Sequence, residues 1–562
     1  MKLCAACGRK YPDETLNFCL DDGSELVYGP SEEPATLVRE PEPERTTEET
    51  AILHVTTGNV VKDQATETRI GFSRSKAFIF GVAVVVLLIV VVIVYRYQLR
   101  SSEVTAASKI RSIAVLPLEN LSGDPSQEYF ADGMTDLLIS DLGQIRSLEV
   151  RSRTSAMNYK GSRKPLPDIA RELNVDAIVE GTVTRVGGRV RVTAYLIPAN
   201  TDSPAWSQNY ERETADLLKL QSDVAQAIAG EIKVKLTSAE QQRLTTVKTI
   251  NPEASEEFLL GNYLARKRTD ADFEAAISHF NRAIEIDPNY AEAWAGLSSA
   301  WFERGVWGKY SHADVESFTR NSAQKALDLD PDLSAAHAAM CNLGANYDWD
   351  WPSVEFHAKR AIELDPSNAD ADVKYAWYLL NFGRFDEVKQ VMSTAEQLDP
   401  ISPTVQSDFG RMLYRMREFT DAETHLRKAI ELDQSNPTPY GRLADVLLEL
   451  GRYSDAIAAL NDADARSDRP TLRARRAIIL ARMGQKDEAL AVWNAMPKKN
   501  SVEEARLSTV FGDFDTAFAA LNRALDQHET VIPQLRVEPA FDRLHSDPRW
   551  AKFLARMNLP PS

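Results

Sequence analysis

Three cysteines near the start of the chain, Cys4, Cys7 and Cys19, stand with Asp22 in the pattern C-x2-C-x11-C-x2-D. Two thiolates separated by a tight turn, with Gly8 and Gly23 letting backbone amides point at the sulfurs, suit tetrahedral Zn²⁺, and zinc accepts a carboxylate oxygen as well as sulfur. The spacing therefore predicts zinc held by Cys4, Cys7, Cys19 and Asp22, with a metal-free segment and a redox thiol pair as the alternatives. In so small a segment the metal itself would hold the fold. Around it Lys2, Arg9 and Lys10 meet Asp13, Glu14, Asp21, Asp22 and Glu25. That balance is slightly acidic, which favours a protein contact over nucleic acid.

Elsewhere the chemistry-bearing residues read as structural. Asn120-Leu-Ser-Gly123-Asp124 lies between a strand and a helix, where backbone amides hold ligands in α/β folds, but it lacks a glycine-rich phosphate-loop spacing. It reads as a turn capped by Asp124 or Ser126, and Glu119, Asp132 and Asp136 read as solvated or capping carboxylates. His279, His337, His357 and His425 fall at no ligand spacing, and Cys341 takes a position that suits a buried leucine. The aromatics Trp307, Tyr310, Trp349 and Trp351 fall in expected loops, where such side chains anchor partners, and packing around an insertion is the other reading. No nucleophile and base, phosphate loop or carboxylate pair has a spacing that supports catalysis, so no enzyme and no small-molecule substrate is expected.

The elements that must position these residues begin with Ala77–Val94, AFIFGVAVVVLLIVVVIV, a run without a charged or polar side chain. A helix here would be roughly 27 Å long, close to the thickness of a bilayer core. Residues 77–95 are expected to cross a membrane once. Residues 29–76, rich in Glu, Thr and Pro, are expected to form a disordered linker between it and the ribbon of residues 1–28. Basic residues are balanced on the two sides, so charge leaves the orientation open. Reduced metal-binding cysteines belong in the cytoplasm, which puts the C-terminal part outside an inner membrane; a C-terminus inside is the alternative. A net charge of −17 over 562 residues excludes a broad nucleic-acid-binding face.

Residues 110–236 interleave strand and helix patterns. Two alternating runs, Ala177–Val186 and Arg189–Ile197, flank Gly187-Gly188, a strong hairpin signal. The phrases SIAVLPLENLSGDPSQEYFADGMTDLLISDL and DAIVEGTVTRVGGRVRVTAYLIPA resemble the TolB-like amino-terminal domain. In bacteria that domain stands between a signalling module, such as a nucleotide cyclase, a protein kinase or a winged helix, and tetratricopeptide repeats. The N-terminal knuckle in turn resembles short zinc ribbons of bacterial membrane proteins, which usually carry four cysteines where this chain has Asp22.

From Pro252 onward the chain repeats itself. RAIEIDP, KALDLDP, RAIELDP, AEQLDP and KAIELDQ end at residues 288, 331, 366, 400 and 434, with a spacing that settles to 34 residues after a first gap of 43. The period and the ending are those of tetratricopeptide repeats, so residues 252–530 are expected to form a solenoid of about eight helical hairpins, with an insertion near 306–314. Ala422, Leu426 and Ala429 would let two helices approach, and the closing proline would stop the second. Residues 531–562 resemble a set of capping helices. The fold class expected is multidomain: zinc ribbon, one transmembrane helix, α/β domain and all-α solenoid. The function expected is a non-enzymatic, single-pass membrane scaffold that binds protein or peptide partners on the array. The alternative is a transmembrane signalling regulator whose ribbon contacts a signalling protein or nucleic acid.

Overall fold

The structure, a computed structural model, describes residues 2–4, 10–11, 26–28 and 110–562, apart from 235, 247–248, 268, 307–311, 468, 498, 530–531 and 562. The chain divides into two units, Met1–Tyr95 and Arg96–Ser562. In the first, strands β1 (Lys2–Cys4), β2 (Lys10–Tyr11) and β3 (Leu26–Tyr28) pair antiparallel in the order β2-β1-β3, with Cys4 opposite Leu26. Cys7, Cys19, Asp22 and the apolar run 77–94 lie outside the described residues. Among those described, no helix is long and apolar enough to cross a membrane.

The second unit opens with a mixed sheet. Strands β4 (Ser112–Val115), β5 (Glu119–Asn120), β6 (Glu149–Val150), β7 (Ala177–Val186), β8 (Arg189–Pro198) and β9 (Trp206–Glu213) form it in the order β6-β4-β7-β8-β9, with β5 also on β7. β4 runs parallel to β6 and β7, and β7, β8 and β9 are antiparallel neighbours. Gly187 and Gly188 turn the β7–β8 hairpin at φ +60° and +80°, the left-handed values a two-residue turn demands. Every residue of β4 is buried, because helices cover both faces. Ile113 and Val115 point to helices α1 (Glu128–Gly143) and α4 (Leu217–Ile232), while Ala114 packs with Ile169 and Leu173 of α3 (Leu166–Leu173). The short helices α2 (Arg153–Met157) and α5 (Ser238–Thr245) complete this part.

The array follows as eight helical hairpins among the described residues. They are α6 (Pro252–Ala265) with α7 (Asp270–Ile286), α8 (Ala291–Val306) with α9 (His312–Leu329), α10 (Ser334–Leu343) with α11 (Trp351–Leu364), and α12 (Ala369–Asn381) with α13 (Phe385–Leu398). Then come α14 (Pro403–Arg415) with α15 (Phe419–Leu432), α16 (Pro437–Glu449) with α17 (Tyr453–Asp464), α18 (Pro470–Arg482) with α19 (Lys486–Asn494), and α20 (Ser501–Phe511) with α21 (Phe514–Asp526). The small residues of the motif act sterically. A Cβ at Gly410 would sit 2.7 Å from Leu426 Cγ, so α14 and α15 meet at the distance only glycine allows. Phe280 fills the same role earlier in the array, wedged against Gly261 and Gly296.

Two features depart from the sequence reading. The α/β part shares its core with the array, which runs on through α1 and α4 into Phe258, Leu259, Phe280 and Leu297 of the first hairpins. It then touches the array a second time, at the turns that follow α11 and α13. Ser152 N donates to Leu398 O at 2.8 Å, Ser155 N and Oγ donate to Asp399 at 3.0 and 2.6 Å, and Val150 N donates to Ser367 Oγ at 3.1 Å. Nor are Asp132 and Asp136 solvated. Asp132 is buried against Lys160 at 2.6 Å, and Asp136 binds Arg153 and, at 2.8 Å, Arg266 at the end of α6, because α1 packs onto the array and takes its acidic face with it.

Glycine geometry yields one stability test. A Cβ at Gly181 would lie 2.3 Å from Thr193 O, whereas one at Gly230 on α4 meets nothing within 4 Å. G181A should lower stability by about 1–3 kcal/mol in a urea titration, and G230A should raise it by up to about 1 kcal/mol. A second test uses the interface. Asp365, near which a Cβ at Gly143 would clash, is pushed up to about 6 by burial, and the buried Asp372 to about 7 by burial and then by the charge of Asp365. Folding raises both values, so their contribution is complete below the ordinary carboxylate range and is lost as pH rises through about 6 and 7. D372N, which mimics the protonated acid, should raise the thermal midpoint by a few degrees more at pH 8 than at pH 5; an equal shift at both would exclude titration as the cause.

Candidate functional site

First helices of several hairpins, α12, α14 and α20 among them, face a common groove, as the end of the chain demonstrates. After α21 the backbone makes two 3-10 turns, Ile532–Val537 and Pro539–Leu544, and then helix α22 (Pro548–Ala555). These residues do not merely cover the last hairpin, as capping helices would. Arg536 Nη1 donates to Asn381 O of α12 at 2.9 Å, Glu538 accepts from Tyr414 and Arg415 of α14, and Arg543 Nη1 donates to Thr509 O of α20 at 2.9 Å. One short segment reaches α12, α14 and α20 together only if the stack curves around it. Ile532, Leu535, Val537, Phe541 and Leu544 are buried in the same core as the array helices. Each large apolar side chain so buried contributes about 1.5–3 kcal/mol.

The wall of this groove is rich in arginine. Glu538 accepts from Tyr414 Oη at 2.9 Å and Arg415 Nε at 3.1 Å, and Arg506 Nη2 stands 3.7 Å away. Burial alone would raise its pKa, but Arg415, Arg506 and Arg411 together hold it down at about 2. Arg415 has no exposed side-chain surface, so this is a charge taken fully out of water. Further along, Arg442 pairs with Asp408 at 2.8 Å and Arg475 with Asp445 at 2.9 Å, while Arg506 bridges Asp445 and Glu503. Arg411 donates no hydrogen bond among the described residues. Burial first, then the neighbouring charges of Arg415 and Arg442, push its pKa well below the usual guanidinium value.

At the other end of the groove a cavity of about 490 Å³ is lined by Trp349, Trp351, Tyr378 and Phe382 with Asp350, Glu355 and Asn558 among its polar groups. A π-helical turn, Gly344–Asp348, ends α10, and Trp349 follows in the left-handed region at φ +50°. Trp349 stacks on His528 at 5.3 Å and accepts at its carbonyl from Asn558 Nδ2 at 3.2 Å. Trp351 is 4% exposed and donates its indole N–H to Met557 O at 2.8 Å, so most of it packs. Glu355 accepts from Tyr378 Oη at 3.0 Å; Lys359 first, then Tyr378 and Arg384 against the opposing effect of burial, hold its carboxyl below the usual range.

Of the residues singled out from sequence, the structure thus brings Trp349 and Trp351 to one cavity, and Trp307 and Tyr310 lie outside the described residues. Asp124 caps its turn, accepting from Ser126 N at 2.9 Å. Cys341 is buried and its thiol is pushed up to about 12 by that burial, so it is not a nucleophile near neutral pH. His337 and His357 meet after all, their Nδ1 atoms 2.8 Å apart, although they sit on different helices. Sequence reading missed the arginine wall and its partner Glu538. The signal present was the series Arg411, Arg415, Arg442, Arg475 and Arg506 on successive first helices, a charge recurring where the repeat leaves choice.

Comparison with known proteins agrees with the repeat architecture. Residues 413–469 and 268–290 each match a model described as tetratricopeptide repeat. The putative adenylate cyclase 3 of Rhizobium meliloti (strain 1021) is 33% identical over 228 residues, which are 40% of this chain and 39% of that protein. The chain therefore spans about two fifths of that relative. Among solved structures, a tetratricopeptide repeat protein from Parabacteroides merdae ATCC 43184 shares 14% identity at a TM-score of 0.34, covering 47% of this chain and 98% of that one. YrrB, a tetratricopeptide repeat protein with an unusual peptide-binding site, shares 17% identity at a TM-score of 0.23, covering 33% and 88%. The two family models fall on the helical hairpins, so the chain carries tetratricopeptide repeats.

Proposed function

We propose that this chain is a non-enzymatic scaffold that binds protein or peptide partners in the groove formed by the first helices of its array. One observation carries the reading: the groove already holds a peptide segment, residues 532–544, through buried apolar side chains and the carboxylates of Glu538 and Asp542. What it does for its own chain it can do for another, and the cavity beside Trp349 and Tyr378 is the part its own segment leaves open. The α/β part, whose phrases resemble the TolB-like domain, supports the array by covering its first hairpin.

A second reading makes the chain a signalling regulator, and the partial likeness to a putative adenylate cyclase favours it. In both readings Ala77–Val94 anchors the chain in an inner membrane, and Cys4, Cys7, Cys19 and Asp22 hold zinc on the cytoplasmic side. The two differ in what the ribbon does: a regulator changes ribbon partners when the array is occupied, and a plain scaffold does not.

Photo-crosslinking from Pro352, exposed at the cavity mouth, should capture protein partners that the same probe at Lys428, exposed on the second helix of its hairpin, does not. Equal yields at the two positions would defeat the groove reading. Topology and metal are checked on the full chain. External protease, after the outer envelope is opened, should digest a C-terminal tag and spare one at Met1, and about one zinc per chain should be lost in C7S; a protected C-terminus would reverse the orientation.

A further inference from the structure

One hairpin away from Glu538, the same wall opens into a second, much smaller space. It is a pocket of about 50 Å³ lined by Arg411, Arg442, Arg469 and Arg475 with Thr438 and Thr471 among its other residues. A single water needs about 10–15 Å³ of such space, so there is room for a small group of a few heavy atoms, such as an oxyanion. The lining contains guanidiniums and no carboxylate. Asp408 and Asp445, which pair with Arg442 and Arg475, are not among the lining residues.

Two observations show that the positive charge there is not used up by the fold. Arg442 keeps its Nε buried without an acceptor, and Arg411 donates to nothing among the described residues although Arg415, Arg442 and Arg475 crowd it. The pocket also lies at the start of two helices. α16 is capped, Asn436 accepting from Thr438 N at 3.0 Å, but Arg469 at the cap position of α18 supplies no side-chain acceptor. The partial positive charge of that helix start therefore adds to the guanidiniums.

The neighbouring wall shows what a carboxylate requires: Glu538 is satisfied by Tyr414 and Arg415 with Arg506 behind. Around Arg411 the unmet demand is spread more widely, a whole guanidinium without an acceptor beside the buried Nε of Arg442. A phosphoryl group, with three terminal oxygens and close to two negative charges, meets that demand better than a carboxylate does. We propose that the pocket at Arg411, Arg442 and Arg475 binds a phosphoryl group, carried either on a partner's phosphorylated side chain or on a free phosphate ester. This inference rests on the groove being a partner-binding surface, but its test uses a small ion and succeeds or fails independently of partner capture.

The purified full chain is titrated calorimetrically with inorganic phosphate and, separately, with acetate at constant ionic strength. Phosphate should saturate one site, and acetate should bind at least tenfold more weakly. R411Q should weaken phosphate at least tenfold, R411K should weaken it less, and R482Q, which removes a partly exposed guanidinium of α18 paired with Glu449 of α16, should leave it unchanged. Because burial and the neighbouring guanidiniums outweigh the attraction of Arg411 to Glu538, the thermal midpoint of R411Q without phosphate should equal or exceed that of the parent, which separates lost binding from lost folding. A phosphoserine peptide and a nucleoside monophosphate are then compared, and whichever exceeds inorganic phosphate identifies the source. Absence of saturation, equal binding of acetate, or an R411Q chain that binds phosphate as tightly as the parent would each overturn the proposal.

Discussion

A stack of helical hairpins has an apolar face bare at each end, and everything else in this protein follows from how those two faces are covered. At the first end the covering is the α/β part itself. Leu259 of α6 sits against Gly133 of α1, where a Cβ would come within 2.7 Å, and the shared core continues from the sheet to Phe280. At the other end the chain turns back on itself, with Trp550, Phe553 and Leu554 of α22 entering the array core. Neither covering is a polar cap laid over a finished solenoid. Each is a piece of the same hydrophobic interior.

Closing the second end brings charge into that interior. A buried carboxylate is tolerated only where several donors and opposite charges surround it, and Glu538 has both. The arginines that supply them are held in turn by Asp408, Asp445 and Glu503, so the wall is a lattice in which each guanidinium keeps its neighbour's place. Within such a lattice a guanidinium without a hydrogen-bond acceptor stands out, because the same low-polarity surroundings that strengthen the other pairs make an unsatisfied donor unfavourable.

Much of this was legible from local pattern. The repeat ending in Asp-Pro marked where α7, α9, α11 and α13 stop, Gly187-Gly188 marked the hairpin, and Ala422, Leu426 and Ala429 are each buried as their spacing requires. These are signals a few residues long, and local physics writes them. What escaped notice was contact across long stretches of chain: Asp136 with Arg266, Ser155 with Asp399, Glu538 with Arg415. Each partner alone has the composition of a solvated surface residue. Only the curvature of the stack brings them together, and curvature is a sum of small rotations that no single repeat displays. The aromatic loop at Trp349 lies between these cases, since its composition pointed to a special role while its stacking on His528 depends on that curvature.

The α/β part binds the array at its first hairpin and again at the turns after α11 and α13, and the C-terminal segment joins α12 and α14 to α20. The chain is thus fastened into two loops, and the hairpin of α12 and α13 belongs to both. An open solenoid behaves as a spring whose coils share any extension. Here the coils are bolted together, so a pull on either end would be carried first by the cross-ties, and the protein would answer load as a brace that holds its length until a tie gives way.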